Sequence, residues 1–272
     1  MLRREAGKNT PPPANAYRAW FLKERLYRAN STCYNRKTMV YNKRELLDGF
    51  TLAEVLITLG IIGVVAALTM PSLVADKRAK ELETALKKNA SIIQQAVLMI
   101  SYEDGIEPTP LNLQSGELKE KIKPYLNVLK DCGRGTTDLA ACVKNTAYIP
   151  DAKNTYKIYT KSNNIAYAYL DDGQLLLTDG ALLMFENSDP KFKQVFITVD
   201  VNGYLKPPNA WGHDLFTFDL TEKGKVLPMG AEGTKFADDA LYCSKTSNNT
   251  LNGIGCTYKA LSEPDYFKNL PK

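Results

Sequence analysis

The sequence predicts an α+β protein: a long N-terminal α-helix, apolar enough for a membrane in its first half and amphipathic in its second, packed on a small antiparallel β-sheet. Three observations carry this. From Val55 to Ala75 there is no charged residue in 21 positions, about the length an α-helix needs to cross the hydrocarbon of a bilayer. The run passes without a break into DKRAKELETALKKNASIIQQAVLMI, where Leu82, Leu86, Ile93, Val97 and Ile100 recur near helical spacing. Beyond Tyr148 the pattern changes to short segments rich in β-branched and aromatic residues, separated by turn signals. An apolar helical stripe needs a partner surface, and a sheet face supplies one.

In chain order, the first element is a basic flank. The 272 residues carry a formal net charge of +5, yet residues 1 to 48 hold eleven Lys and Arg against four acids, so everything from Gly49 onward is slightly acidic. The basic balance belongs to this flank, and no nucleic-acid surface is inferred from it. Arg36, Lys37, Lys43 and Arg44 precede the apolar run, which by the positive-inside rule leaves the N-terminus in the cytoplasm and carries the C-terminal bulk across; Lys77 and Arg78 on the far side pull the other way. No small-residue cleavage site follows the run, as it would in an ordinary signal peptide.

The second element is the helical rod, divided into a membrane part over 50–75 and an amphipathic continuation over 76–103. Pro71 lies inside it. Proline removes one backbone hydrogen bond and kinks or locally melts a helix, and Gly60 and Gly63 lower the stiffness further, so a bend is expected near the membrane exit. One carboxylate, Glu54, stands at the start of the apolar run. It reads either as an interfacial acid in the first helical turn, favoured by the helix dipole, or as an intramembrane charge that requires a cation. Cleavage after Gly49 would create such a cation, the α-amine of Phe50, four residues before the acid.

GFTLAEVLITLGIIGVVAAL resembles the N-terminus of type IV prepilins and type II secretion pseudopilins. Gly49 matches the residue before the cut, Phe50 the new N-terminus, Glu54 the fifth mature residue, and Pro71 the helix-breaking proline; the likeness covers roughly residues 43 to 75. The resemblance implies a pilin-like fold, cleavage by a membrane prepilin peptidase, N-methylation of Phe50, and polymerisation with other copies and related pilin subunits at an inner-membrane assembly platform. Before assembly the subunit would sit in membrane lipid as a single-pass protein, and afterwards in a periplasmic pseudopilus or surface pilus. The acid matching Glu54 would neutralise the N-terminal amine of a neighbour, a pairing far stronger in low dielectric than in water. A 49-residue leader is long for this family. Met39 opens MVYNKRELLDG, a short basic leader ending at the same glycine, so residues 1–38 are expected to lie upstream of the true start, or otherwise to form a disordered cytoplasmic tail.

The globular part is expected over 104–272. SGELKEKIKPYLNVL suggests a short helix from about Glu117 to Leu129, interrupted or bent at Pro124. NTYKIYT, NNIAYAYL, GQLLLTDG, ALLMFE and FKQVFITVDV read as antiparallel strands, with turns at Asp171-Asp172-Gly173 and Asp179-Gly180. Of five cysteines, Cys33 lies in the leader; Cys132, Cys142, Cys243 and Cys256 lie beyond the membrane, where an oxidising compartment permits pairing. Four cysteines allow three connectivities and sequence alone does not choose; the two local pairs, each closing a short loop between turn-rich segments, are the expectation. No CxxC occurs, and the single His213 is remote in sequence from both pairs, so zinc is poorly supported.

VDVNGYLKPPNAWGHDLFTFDL, from Val199 to Leu220, admits two readings. Asp200, Asn202 and Asp214 are hard oxygen donors of the kind calcium takes, and the pilin resemblance includes subunits that bind calcium in this domain. Alternatively Asn202-Gly203 makes a tight turn and the aspartates cap loop backbone, which the spacing favours. No cofactor other than this calcium is expected. The absence of G-x-S-x-G, H-E-x-x-H and phosphate-loop motifs leaves no basis for an enzyme mechanism. The alternative to a filament subunit is a monomeric signal-anchored envelope protein with a binding or hydrolytic domain.

Overall fold

A computed structural model describes residues 50–136, 139–145, 156–187 and 189–271. Gly49, Cys33 and Met39, with the leader they belong to, lie outside the described residues. The chain divides into two units, Met1–Leu56 and Ile57–Lys272, the first described only over its last seven residues.

A single helix, α1, runs from Leu52 to Asp104. Its two parts have opposite environments. Every described position from Phe50 to Arg78 is exposed apart from the half-buried Ala66, whereas Ala79, Leu82, Leu86, Ala90, Ile93, Ala96, Val97 and Ile100 are buried. Pro71 lies inside α1 without ending it, so the local melting that a proline allows does not occur. The hydroxyls of Thr69 and Ser72 beside it donate to the carbonyls of Val65 and Thr69, at 2.9 Å each.

Among the described residues the sheet has six strands in the order β1 to β6, each antiparallel to its sequence neighbour: β1 Val128–Gly133, β2 Gly173–Leu177, β3 Leu182–Asn187, β4 Val195–Asp200, β5 Leu215–Leu220 and β6 Val226–Pro228. Side chains alternate between its faces because the strand period is two. Leu175, Leu183, Phe185, Ile197, Val199, Phe216 and Phe218 share a core with α1. Leu176, Leu182, Met184, Phe196 and Leu215 join a second core containing Tyr156, Ile158 and Trp211. The central strands are therefore buried on both faces, and most but not all of their residues are apolar, Thr198 and Thr217 among the exceptions.

Three expectations are corrected. The helix expected over Glu117 to Leu129 stops at Ile122, forming α2, Glu117–Ile122. A 3-10 turn over Lys123–Tyr125 follows, Leu126 is extended at φ −116° and ψ 146°, and Val128 already pairs with Leu177 in the sheet. Pro124 has no N–H with which to continue the helix, and pairing with β2 captures the apolar residues beyond it. Secondly, the segments read as strands over 154–160 and 163–170 add no strand to the sheet among the described residues. Lys157 makes isolated bridges to Asn164 and Ala210, and Tyr167–Tyr169 is a 3-10 turn. Tyr156, Ile158, Ile165 and Tyr167 are buried as a layer laid on the second face, whereas Tyr159 joins the core shared with α1; such burial selects the same residue types as strand pairing does. Thirdly, LFTFDL, read only as the end of the Val199–Leu220 segment, is the strand β5.

The cysteines pair as Cys132–Cys142 and Cys243–Cys256. The first tethers the end of β1 to the loop that follows it. The second joins α3, Asp239–Tyr242, to a 3-10 turn that leads into α4, Thr257–Ser262.

Candidate functional site

Two regions concentrate chemistry that folding alone does not require. The first is the start of α1. Thr51 immediately precedes the helix and Glu54 sits in its first turn, and the two cap each other reciprocally. The Thr51 N–H and hydroxyl both donate to Glu54 Oε2 at 2.8 Å, and the Glu54 N–H donates to Thr51 Oγ1 at 3.2 Å. This is a capping box, T-x-x-E, which satisfies backbone donors that the first turn otherwise leaves orphaned. The spacing was present in the sequence, and its signature identifies Thr51 as Glu54's partner within the chain. Around the acid the surface is apolar: Phe50 is 88% exposed, and Leu56, Ile57, Leu59, Ile61, Ile62, Val64, Leu68 and Val74 are each at least 60% exposed. The helix is long and apolar enough to cross a membrane, and its most apolar window buries no residue.

The second region is the loop between β4 and β5, which the sequence singled out through Asp200, Asn202 and Asp214. Antiparallel pairing sets Asp200 opposite Leu215, so the two aspartates stand at the mouth of the loop, one on each arm. Both are fully buried. Asp200 Oδ2 accepts the Tyr156 hydroxyl at 2.7 Å, and its Oδ1 accepts the N–H groups of Gly203 at 2.8 Å and Asn202 at 3.3 Å. Asp214 accepts the N–H groups of Asn209 at 2.9 Å and Ala210 at 2.8 Å, one on each oxygen. Two asparagine amides close the interior, Asn202 Nδ2 donating to the Lys206 carbonyl at 3.1 Å and Asn209 Nδ2 to the Tyr204 carbonyl at 2.8 Å. Gly203 is required here, because at φ +81° a Cβ would lie 2.2 Å from the Gly180 carbonyl oxygen.

Burial raises both carboxyls, and for Asp200 the charge of Asp214 adds to it; the hydrogen bonds only partly offset this. Each acid therefore holds its proton more firmly than an exposed aspartate does. Each of the four carboxylate oxygens accepts at least one N–H or O–H, so the two acids cap the loop backbone, while Asn202 Oδ1, the third oxygen of the expected calcium set, is buried and makes no hydrogen bond among the described residues. His213 is structural too. Burial lowers it to about 4, and its Nε2 lies 2.8 Å from the Tyr159 carbonyl, which can only accept, so this nitrogen carries the hydrogen and the ring is neutral.

The loop is fastened to α1. The guanidinium of Arg78 donates to the carbonyl of Pro207, a link across more than a hundred residues for which the sequence carries no local signal. The structure also gathers Asp171, Asp172 and Glu186, whose carboxylate oxygens lie within 4.8 Å of one another. In sequence the first two read only as a turn. Asp172 accepts the Asn187 N–H at 2.9 Å and faces Arg134 at 3.7 Å, so this cluster has internal partners.

Comparison with protein-family models, curated proteins and solved structures finds no significant match.

Proposed function

We propose that the chain is a structural subunit, a pilin or pseudopilin, that is cleaved after Gly49, N-methylated at Phe50 and polymerised through α1 into a type IV pilus or type II secretion pseudopilus. The observation that carries the reading is one helix with two fates. Its second half forms the core against the sheet, while its first half projects an unbroken apolar surface. A surface of that size is far beyond what a monomeric soluble protein leaves uncovered, and lipid or neighbouring copies of the same helix would cover it. Glu54 is the sole carboxylate in that surface. In the isolated chain Thr51 satisfies it; in a filament the amine of a neighbouring Phe50 would be the stronger partner, since it carries a full charge.

The partners this reading requires are other copies of the chain, related subunits, the prepilin peptidase, the assembly platform and, before assembly, membrane lipid. Terminal sequencing of mature protein tests the cleavage and should begin at Phe50. In filaments sheared from cells, Glu54→Ala should reduce incorporation at least tenfold while leaving the membrane-bound pool intact. Undiminished function of Glu54→Ala, with no sheared filaments from the parent, would instead identify a tethered monomer.

A further inference from the structure

The β4–β5 loop is held with unusual firmness, and what it holds out is apolar. Buried acids clamp its two arms, Tyr204 packs on Tyr156 with ring centroids 5.4 Å apart, and the Lys206 N–H donates to Gly203 O at 2.9 Å. The tip nevertheless presents Leu205, 66% exposed, with Lys206 and Pro207 exposed beside it. The position of this tip is set by Arg78, which bonds Pro207. Arg78 lies three residues beyond Ala75, the last residue of the uncharged run, a rise of about 4.5 Å along the helix. Leu205 is two residues from that bond, at most about 7 Å of chain. With the run across the hydrocarbon, Arg78 stands at the depth of the lipid headgroups, a layer roughly 5 to 7 Å thick on each side, and its guanidinium ties the loop tip to that end of the sheet domain. At this level the basic Lys77, Arg78, Lys80 and Lys206 stand with two acids, Asp76 and Glu81, and Lys77 lies 3.7 Å from Glu81.

We propose that the tip of this loop, Leu205 to Pro207, is a membrane-contact element: while α1 spans the bilayer, Leu205 and Pro207 enter the headgroup layer and Lys206 with Arg78 meets anionic lipid phosphates. The proposal rests on the reading that the first half of α1 crosses a membrane. Its chemistry is that of interfacial anchors, which combine buried apolar area with attraction of basic side chains to anionic lipid. The clamp then has a purpose: a stiff loop fixes how the sheet domain stands on the bilayer, and leaving the membrane requires release of a second contact besides the helix.

The test places nitroxide labels at Leu205→Cys, Leu59→Cys and Leu241→Cys, singly, in the full chain with Cys33→Ser, reconstituted in nanodiscs of zwitterionic and anionic phospholipid. Accessibility to membrane-soluble oxygen and to a water-soluble nickel chelate gives the depth of each label. The expected result is a label at 205 shielded from nickel severalfold relative to 241, with shielding reduced by Lys206→Glu or by omitting anionic lipid. A label at 205 as open to nickel as that at 241, while that at 59 is shielded, overturns the loop contact and leaves the spanning helix standing. Exposure at 59 overturns the spanning reading itself. Shielding at 205 found only in assembled filaments overturns the proposal in favour of contact between copies.

Discussion

Asp200 and Asp214 are two carboxyls removed from water, where burial outweighs the hydrogen bonds they accept and, at Asp214, the charge of Arg78, and the consequence is a pH dependence of definite sign. In the unfolded chain an aspartate titrates near pH 4, whereas in the folded chain burial, with the neighbouring charge, raises both. Between those limits the native state binds the additional proton, so stability is complete below about pH 4 and falls as pH rises toward and through the raised native values, at up to about 1.4 kcal/mol per pH unit while one proton is held. Asp131 runs the other way: burial alone would raise it, but Lys123, the Gly133 N–H and Lys119 hold it at about 2, so its contribution is complete before this window opens. Denaturant unfolding of the chain in detergent should therefore give a lower midpoint at pH 8 than at pH 5, with the difference reduced in Asp214→Asn. Equal midpoints would mean the pair is less coupled to folding than its burial implies. The residue types of this cluster were legible, and so was the possibility that they cap a loop; Tyr156 as the third member was not, because nothing local in the sequence relates positions 44 residues apart.

At the scale of elements, α1 does two jobs divided near Ala79. The periodicity of Leu82, Leu86, Ile93, Val97 and Ile100 was readable, and all five are buried on the sheet. Ile93 is fully buried and lies in the middle of this stripe, so Ile93→Ala removes transfer energy and leaves a cavity; a loss of about 2 to 5 kcal/mol is expected, measured as a shift in the denaturation midpoint. A comparable truncation in the exposed first half of the helix, such as Ile62→Ala at a 63% exposed position, should leave that midpoint nearly unchanged. The sheet elements were less legible. Gly173–Leu177, Leu182–Asn187 and Val195–Asp200 announce themselves as apolar runs between turns, whereas 156–170 has the same composition and forms the covering layer. Period and propensity report burial, and burial is common to both roles.

Over the whole molecule, the two disulfides staple loops that lie outside the sheet ladder, closing spans of 10 and 13 residues. Removing the second as Cys243→Ala with Cys256→Ala should lower stability by about 3 kcal/mol, mainly by freeing the unfolded chain, and calorimetry of the double variant checks this. The α+β class and the helix long and apolar enough for a membrane were determined by the sequence alone, because each depends on charge and periodicity read locally along the chain. Tertiary structure alone decided that the sheet has six strands among the described residues and is covered on both faces, that Asp200 accepts a tyrosine hydroxyl while Asp214 caps the other arm of the loop, and that Arg78 holds the β4–β5 loop beside the end of the apolar run. Those are contacts between segments distant in the chain, and their energy comes from shared burial, which no local pattern of residues records.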